Sequence, residues 1–233
     1  MDIGLGLLWF AAFTVSATFH EAAHGLVALK LGDPTARDAG LVTLDPVAHM
    51  QRSPIGMIVV PIATFLLTNY GWMMGWASTP YDPYWARHNR RSAALMALAG
   101  PTANLALLLV AAIAIRIGMG FGIFAAPETA TFKQVTFAPG GGIAQGAAVL
   151  VSILLSLNLI LLIFNLLPLP PLDGSEIVTL FLNDTSADRY RMLLMQPGAQ
   201  MVGLIVAWRV MDFLVSPAQR LMLNLLYPGA AYG

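Results

Sequence analysis

Residues 18–26 read TFHEAAHGL and lie inside an apolar run that extends from 3 to 29. A helix needs about 20 apolar residues to cross the hydrocarbon of a bilayer, and this run supplies them. Ionisable side chains at that depth cost roughly 2.5 to 3.5 kcal/mol each on insertion scales, so two histidines and a glutamate there mark function. His20 and His24 are four apart and project from one face of a helix, where both imidazoles can converge on one metal ion, with Glu21 beside them. A lone histidine in a helix is more often a hydrogen-bonded core residue. For this trio in lipid the balance reverses.

The rest of the chain has the same character. Of its 233 residues 58% are hydrophobic and 10% charged, with mean hydropathy +0.72, against roughly 25% charged in a soluble domain. Runs at 92–117, 144–167 and 199–226 are each long enough to span. A further run, 55–77, carries Pro61, Asn69, Gly71 and Gly75, so it either crosses or dips in and returns. The expected fold is all-α, a polytopic transmembrane helix bundle with four to five membrane helices, forming one integral-membrane domain over 1–233. GLVTLDP, with its β-branched alternation, predicts a small surface β element near 40–46. Residues 119–142 are glycine-rich and expected to be partly extended. The apolar start resembles a signal-peptide core, but Asp2 stands where positive charge belongs and the pattern runs on through GLVALKLG, so it reads as a retained helix.

The lipid bilayer is thus the first partner. Zero net charge and the absence of a basic run give no sign of nucleic-acid binding. With no cysteine, there is no disulfide and no thiolate ligand, so any metal is held by His, Asp or Glu. HEAAH has the H-E-x-x-H order in which two histidines bind zinc and the glutamate accepts a proton from water. A catalytic zinc usually has three protein ligands and one open position, so a third is needed from His49, His88 or a carboxylate. Asp173 stands out, because Pro168, Pro170 and Pro171 break an apolar helix just before it, and irregular backbone at membrane depth is tolerated only inside protein or along a wet cavity. A surface helix cap is the plainer role for Asp173, and the histidine pair favours the ligand role. His49 is held in reserve, while His88 lies among arginines and is expected to face water.

HEAAH at 20–24, GPTAN at 100–104 and FNLLPLPPLDG at 164–174 together resemble the site-2 protease family of M50-type intramembrane zinc metalloproteases. LGDPTAR and GLVTLDPVAH resemble its compact prokaryotic branch without PDZ or CBS domains. The resemblance covers 18–175. It implies that His20, His24 and Asp173 hold one zinc ion, that Glu21 is the catalytic acid/base, and that Asn104 and Asn165 lie near the active site to hold a substrate strand or an oxyanion. It also implies a transmembrane protein or peptide substrate, cut within or near its apolar segment, in a prokaryotic cell membrane. The chain departs from the pattern at Asp45, where an asparagine is expected, and at Gln51, where an acidic residue is expected nearby. The rival is a membrane metal-binding or metal-transport protein without peptidase activity, which would not need Glu21 next to His20.

The two motifs can serve one ion only if the ends of their helices share a membrane face. If 55–77 crossed fully, the first helix and the 144–167 helix would be antiparallel; if it is re-entrant, they are parallel. The re-entrant arrangement puts eight lysines and arginines (Lys30, Arg37, Arg52, Arg87, Arg90, Arg91, Arg189 and Arg191) on the metal side, against Arg116, Lys133 and Arg220 on the other. The positive-inside rule then favours it and sets the active site nearer the cytoplasmic face. Arg209 and Asp212, three apart, are expected to pair within their helix.

Overall fold

A computed structural model describes residues 3–230 and 232, so Asp2 lies outside the described residues. In chain order they form α1 (Ile3–Lys30), α2 (Thr35–Asp38), α3 (Pro46–Arg52), a π-helical turn (Ile55–Val59) leading into α4 (Val60–Leu67), α5 (Pro83–His88), α6 (Arg90–Gly120), α7 (Gly142–Leu166), α8 (Asp173–Ile177), a 3-10 turn (Val178–Phe181), α9 (Asp184–Leu194) and α10 (Ala199–Leu226). Four of these, α1, α6, α7 and α10, are long and apolar enough to cross a membrane. They coincide to within three residues with the runs read from sequence. α1, α6 and α7 pack on one another, and α10 lies against α7. Small buried residues, among them Ala12 and Ala17 on α1 and Ala94, Ala97 and Gly100 on α6, let these backbones approach where lipid gives no hydrophobic drive to associate.

Residues 55–77 enter the bundle and leave on the same side. α3 and the helix Ile55–Leu67 meet at 114°. The chain reverses at Asn69 and Tyr70, both with positive φ, and returns without helix. The returning backbone bonds to the helix it left. Trp76 N–H donates to the Gly56 carbonyl at 3.0 Å and Met74 N–H to Thr64 Oγ1 at 3.1 Å, while Thr68 Oγ1 donates to the Trp72 carbonyl at 3.0 Å. These bonds satisfy irregular backbone that lipid could not. The hairpin stays narrow because a Cβ on Gly75 would strike the Gly56 carbonyl. Met57, Phe65 and Met73 then bury against Trp9 and Phe13 of α1. Since Gly56 and Trp76 are neighbours, α1 and α7 run in the same direction, as the re-entrant reading requires.

Two local expectations give way to other forces. No strand forms near 40–46 or elsewhere among the described residues. Instead the chain bends at 42–44, and Asp45 caps α3 by accepting from Val47 N–H at 2.9 Å, with Pro46 opening the helix. A good N-cap followed by proline outweighs β-branched alternation over so short a stretch. Arg209 and Asp212 do not pair. Both are exposed, and neither has an ion-pair or hydrogen-bond partner among the described residues. Helical side chains lean toward the N-terminus, so an arginine placed before its aspartate leans away from it.

The far ends of the spans are tied separately: Arg116, late in α6, donates to the Leu226 carbonyl at 3.0 Å, and Tyr227 Oη donates to the Val135 carbonyl at 2.8 Å. Residues 121–141 cover that end with isolated bridges at Ala125–Phe137 and Thr131–Gln134. At the opposite end Asp33, 1% exposed, joins the exit of α1 to the start of α5. Its carboxylate accepts from the Thr35 hydroxyl, from Thr35 N–H at 2.9 Å and from Asp82 N–H at 2.8 Å. Burial alone would raise this carboxyl, and the three donors outweigh it and hold it below the ordinary value. Its contribution to stability is therefore complete above the unfolded pKa of about 3.9 and is lost as pH falls through the lower native value. Asp33→Asn is expected to cost about 1 to 2 kcal/mol at neutral pH and to flatten the acid limb, as read by thermal unfolding in detergent.

Candidate metal centre

α7 ends at Leu166, and residues 167–172 turn the chain back through Pro168, Pro170 and Pro171, the last two joined by a cis peptide bond. Proline cannot continue a helix, so the break is written into the sequence. The return is tight, with Leu172 N–H donating to the Leu169 carbonyl at 2.9 Å, and Gly174 packing where a Cβ would meet the carbonyls of Leu166 and Leu167. The effect is to aim Asp173 at α1. Its Oδ2 lies 3.1 Å from His20 Nε2 and its Oδ1 3.4 Å from His24 Nε2, while the two Nε2 atoms are 3.0 Å apart. One ligand atom from each residue falls within 4.8 Å of the others. Ligands of a tetrahedral zinc with bonds of 2.0 to 2.1 Å are separated by roughly 3.3 Å, so the spacing fits.

The hydrogen bonds behind the rings point the same way. His24 Nδ1 lies 2.8 Å from the Met96 carbonyl, which can only accept, so Nδ1 carries a proton, and in the neutral ring Nε2 turns its lone pair inward. His20 Nδ1 lies 2.7 Å from Asn104 Oδ1. Asp173 Oδ2 is buried and has no hydrogen-bond donor. Two imidazole lone pairs and a carboxylate facing one another repel unless a cation sits among them, and this N,N,O donor set suits zinc.

Two further residues shape the centre. A Cβ on Gly100 would overlap both imidazole rings, so α6 can lie this close only with glycine there. Glu21 is buried at 7% exposure. Its backbone carbonyl accepts from Thr79 Oγ1 at 3.0 Å, just past the returning limb of the hairpin. Its carboxylate has no hydrogen bond or ion pair among the described residues.

Of the residues marked by sequence, His20, His24 and Asp173 come together, Glu21 stands next to the first, and Asn104 is bonded to it. Asn165 is half-buried near the end of α7, and its side chain has no hydrogen bond among the described residues. His49 is buried elsewhere, its Nε2–H donating to the Thr43 carbonyl at 3.0 Å, and His88 is exposed on α5; neither belongs to the metal group. Sequence reading gave no role to Gly100, although it opens GPTAN, and passed over Met96 and Asn158. The first had a signal, a Gly-Pro pair inside an apolar helix. Met96 contributes only its carbonyl and could not have been found.

A family model described as peptidase family M50 matches residues 8–208. Two curated relatives carry the description "Putative zinc metalloprotease". YwhC of Bacillus subtilis (strain 168) is 35% identical over 165 residues, 70% of this chain and 64% of that protein. Rip2 of Mycobacterium tuberculosis (strain H37Rv) is 29% identical over 171 residues, 73% of this chain and 56% of that protein. The matched part thus spans 56% to 64% of these relatives' length. No solved structure matches the chain. Gly100→Ala is expected to abolish stoichiometric zinc binding while α6 still inserts, with metal content of the purified protein as the readout.

Proposed function

The chain belongs to peptidase family M50, and from that premise we propose that it is an intramembrane zinc metalloprotease that cuts other membrane proteins within or near their transmembrane segments. The observation that carries the reading is the convergence of His20, His24 and Asp173 beside an uncommitted Glu21, at membrane depth. His20 lies about 15 Å from the nearer end of α1 at 1.5 Å per residue, far enough along the helix to sit within the hydrocarbon of a bilayer that α1 crosses.

His20, His24 and Asp173 would hold one zinc ion per chain, which when bound would supply Lewis-acid polarisation of a carbonyl and a lowered pKa of water. Glu21 takes the proton of the attacking water and delivers it to the leaving amine as the C–N bond breaks. Asn104 has both ends of its amide engaged, with His20 and with Asn158. The substrate or oxyanion role therefore falls to Asn165, whose amide is free. A helical substrate hides its carbonyls in its own hydrogen bonds and must unwind locally.

Positive charge supports a site nearer the cytoplasmic face of a prokaryotic cell membrane, since Lys30, Arg37, Arg52, Arg87, Arg90 and Arg91 flank the end where α1 stops and α6 begins. The chain has no cysteine, so single introduced cysteines report cleanly. In oriented vesicles, Ser53→Cys and Ser78→Cys are expected to react with an impermeant maleimide from the cytoplasmic side, and Glu128→Cys from the other. Opposite labelling of Ser53→Cys and Ser78→Cys would sink the re-entrant topology.

The activity test is cleavage of transmembrane peptides by the reconstituted protein, read by mass spectrometry. Zinc-dependent cuts within the apolar segment are expected. Glu21→Gln is expected to slow them about 100- to 10,000-fold with zinc still bound. Zinc flux across the membrane without cleavage would favour the transport reading instead.

A further inference from the structure

Behind His20 a line of buried polar side chains crosses from α6 to α7 and back to α1. Asn104 and Asn158 are each 0% exposed, and Ser16 likewise. Asn104 Nδ2 lies 2.9 Å from Asn158 Oδ1. Asn158 Nδ2 lies 2.9 Å from Ser16 Oγ and 2.8 Å from the Leu154 carbonyl. Ser16 Oγ lies 2.7 Å from the Ala12 carbonyl.

We infer that Asn158 is a positioning residue that fixes, through Asn104, which nitrogen of His20 is left bare for the metal. The inference rests on the metal-site reading above. Each link has one direction. A backbone carbonyl accepts and cannot donate, so the Leu154 carbonyl requires the NH2 of Asn158 to face it. Ser16 spends its own proton on the Ala12 carbonyl, so its oxygen accepts from the same NH2. Asn158 must then show its carbonyl oxygen to Asn104. That oxygen can only accept, so Asn104 shows it an NH2 and turns its own oxygen to His20. His20 Nδ1 must carry a proton, so in the neutral ring Nε2 faces Asp173 and His24 with its lone pair.

The two histidines thus reach the same state by different means, His24 from a single backbone carbonyl and His20 from a relay anchored one turn down α7. The relay also accounts for three buried polar residues in an apolar core, where an unpaired amide costs about 1 to 3 kcal/mol. Partners behind a metal-bound histidine typically contribute 10- to 100-fold to metal affinity.

The test measures zinc affinity by competition with a chelator, and the His20 tautomer by 15N NMR of metal-free, 15N-histidine-labelled protein. The wild type is expected to show His20 protonated at Nδ1. Asn158→Leu, close in size and unable to hydrogen-bond, is expected to lose roughly 10- to 100-fold in zinc affinity and to show mixed His20 tautomers, with His24 unchanged. Asn158→Ser provides a polar variant should leucine impair folding. Its hydroxyl donates or accepts alike, so it is expected to shift the tautomer the same way by less. Ser16→Ala, which leaves the Leu154 carbonyl in place, is expected to stay within about threefold of wild type, since one of two redundant acceptors remains. A folded Asn158 variant with unchanged zinc affinity and a pure Nδ1–H tautomer overturns the inference and leaves the protease reading standing. A wild-type protein that binds no zinc overturns the metal-site reading, while the tautomer measurement still reports on the relay.

Discussion

Two imidazole nitrogens 3.0 Å apart, His20 Nε2 and His24 Nε2, face the two carboxylate oxygens of Asp173, Oδ2 at 3.1 Å from the first and Oδ1 at 3.4 Å from the second. Such a contact is unfavourable on its own, and much of the fold exists to impose it. α1 supplies two atoms from successive turns of one face. The proline break after α7 brings the carboxylate back. The third helix of the core, α6, closes on the rings at Gly100 and supplies proton acceptors at Met96 and Asn104. The re-entrant hairpin makes α1 and α7 parallel, without which the carboxylate would sit at the wrong membrane face.

How far the sequence disclosed this depended on how local each determinant was. HEAAH is legible because i and i+4 share a helix face whatever surrounds them. Pro168, Pro170 and Pro171 are legible because proline ends a helix in any context, and the four long apolar runs because the bilayer sets their length. The hairpin path of 55–77 was legible too, because two metal-binding motifs can meet only if their helices end on the same side of the bundle. The extended reading of 40–46 failed because alternation over seven residues is weaker than the cap Asp45 forms with Val47. The pairing of Arg209 with Asp212 failed because spacing alone ignores the lean of helical side chains.

What stayed hidden depends on which helix faces which. Asn158 in SLNLIL looks like an incidental polar residue in a span until α6 and α1 are placed around it. Its neighbours Asn104 and Ser16 lie 54 and 142 residues away. Gly100 opens the GPTAN motif, but the reason for a glycine there stays hidden until the imidazoles are set against it. Asn104 and Asn165 look alike in sequence, yet one is spent on holding a histidine and the other keeps its amide free.

The arrangement of the helix ends has a consequence for communication. α1 begins, and α10 finishes, at the end of the bundle where Arg116 meets Leu226, away from the histidines. From Ile3 to His20 along α1 is about 25 Å at 1.5 Å per residue. Charge at the aqueous surface is screened within about 8 Å at physiological salt. A stimulus made of surface charge is therefore weakened before it enters the bundle, and the continuous α1 offers it a mechanical route to the metal site, as a tilt, slide or rotation of one span.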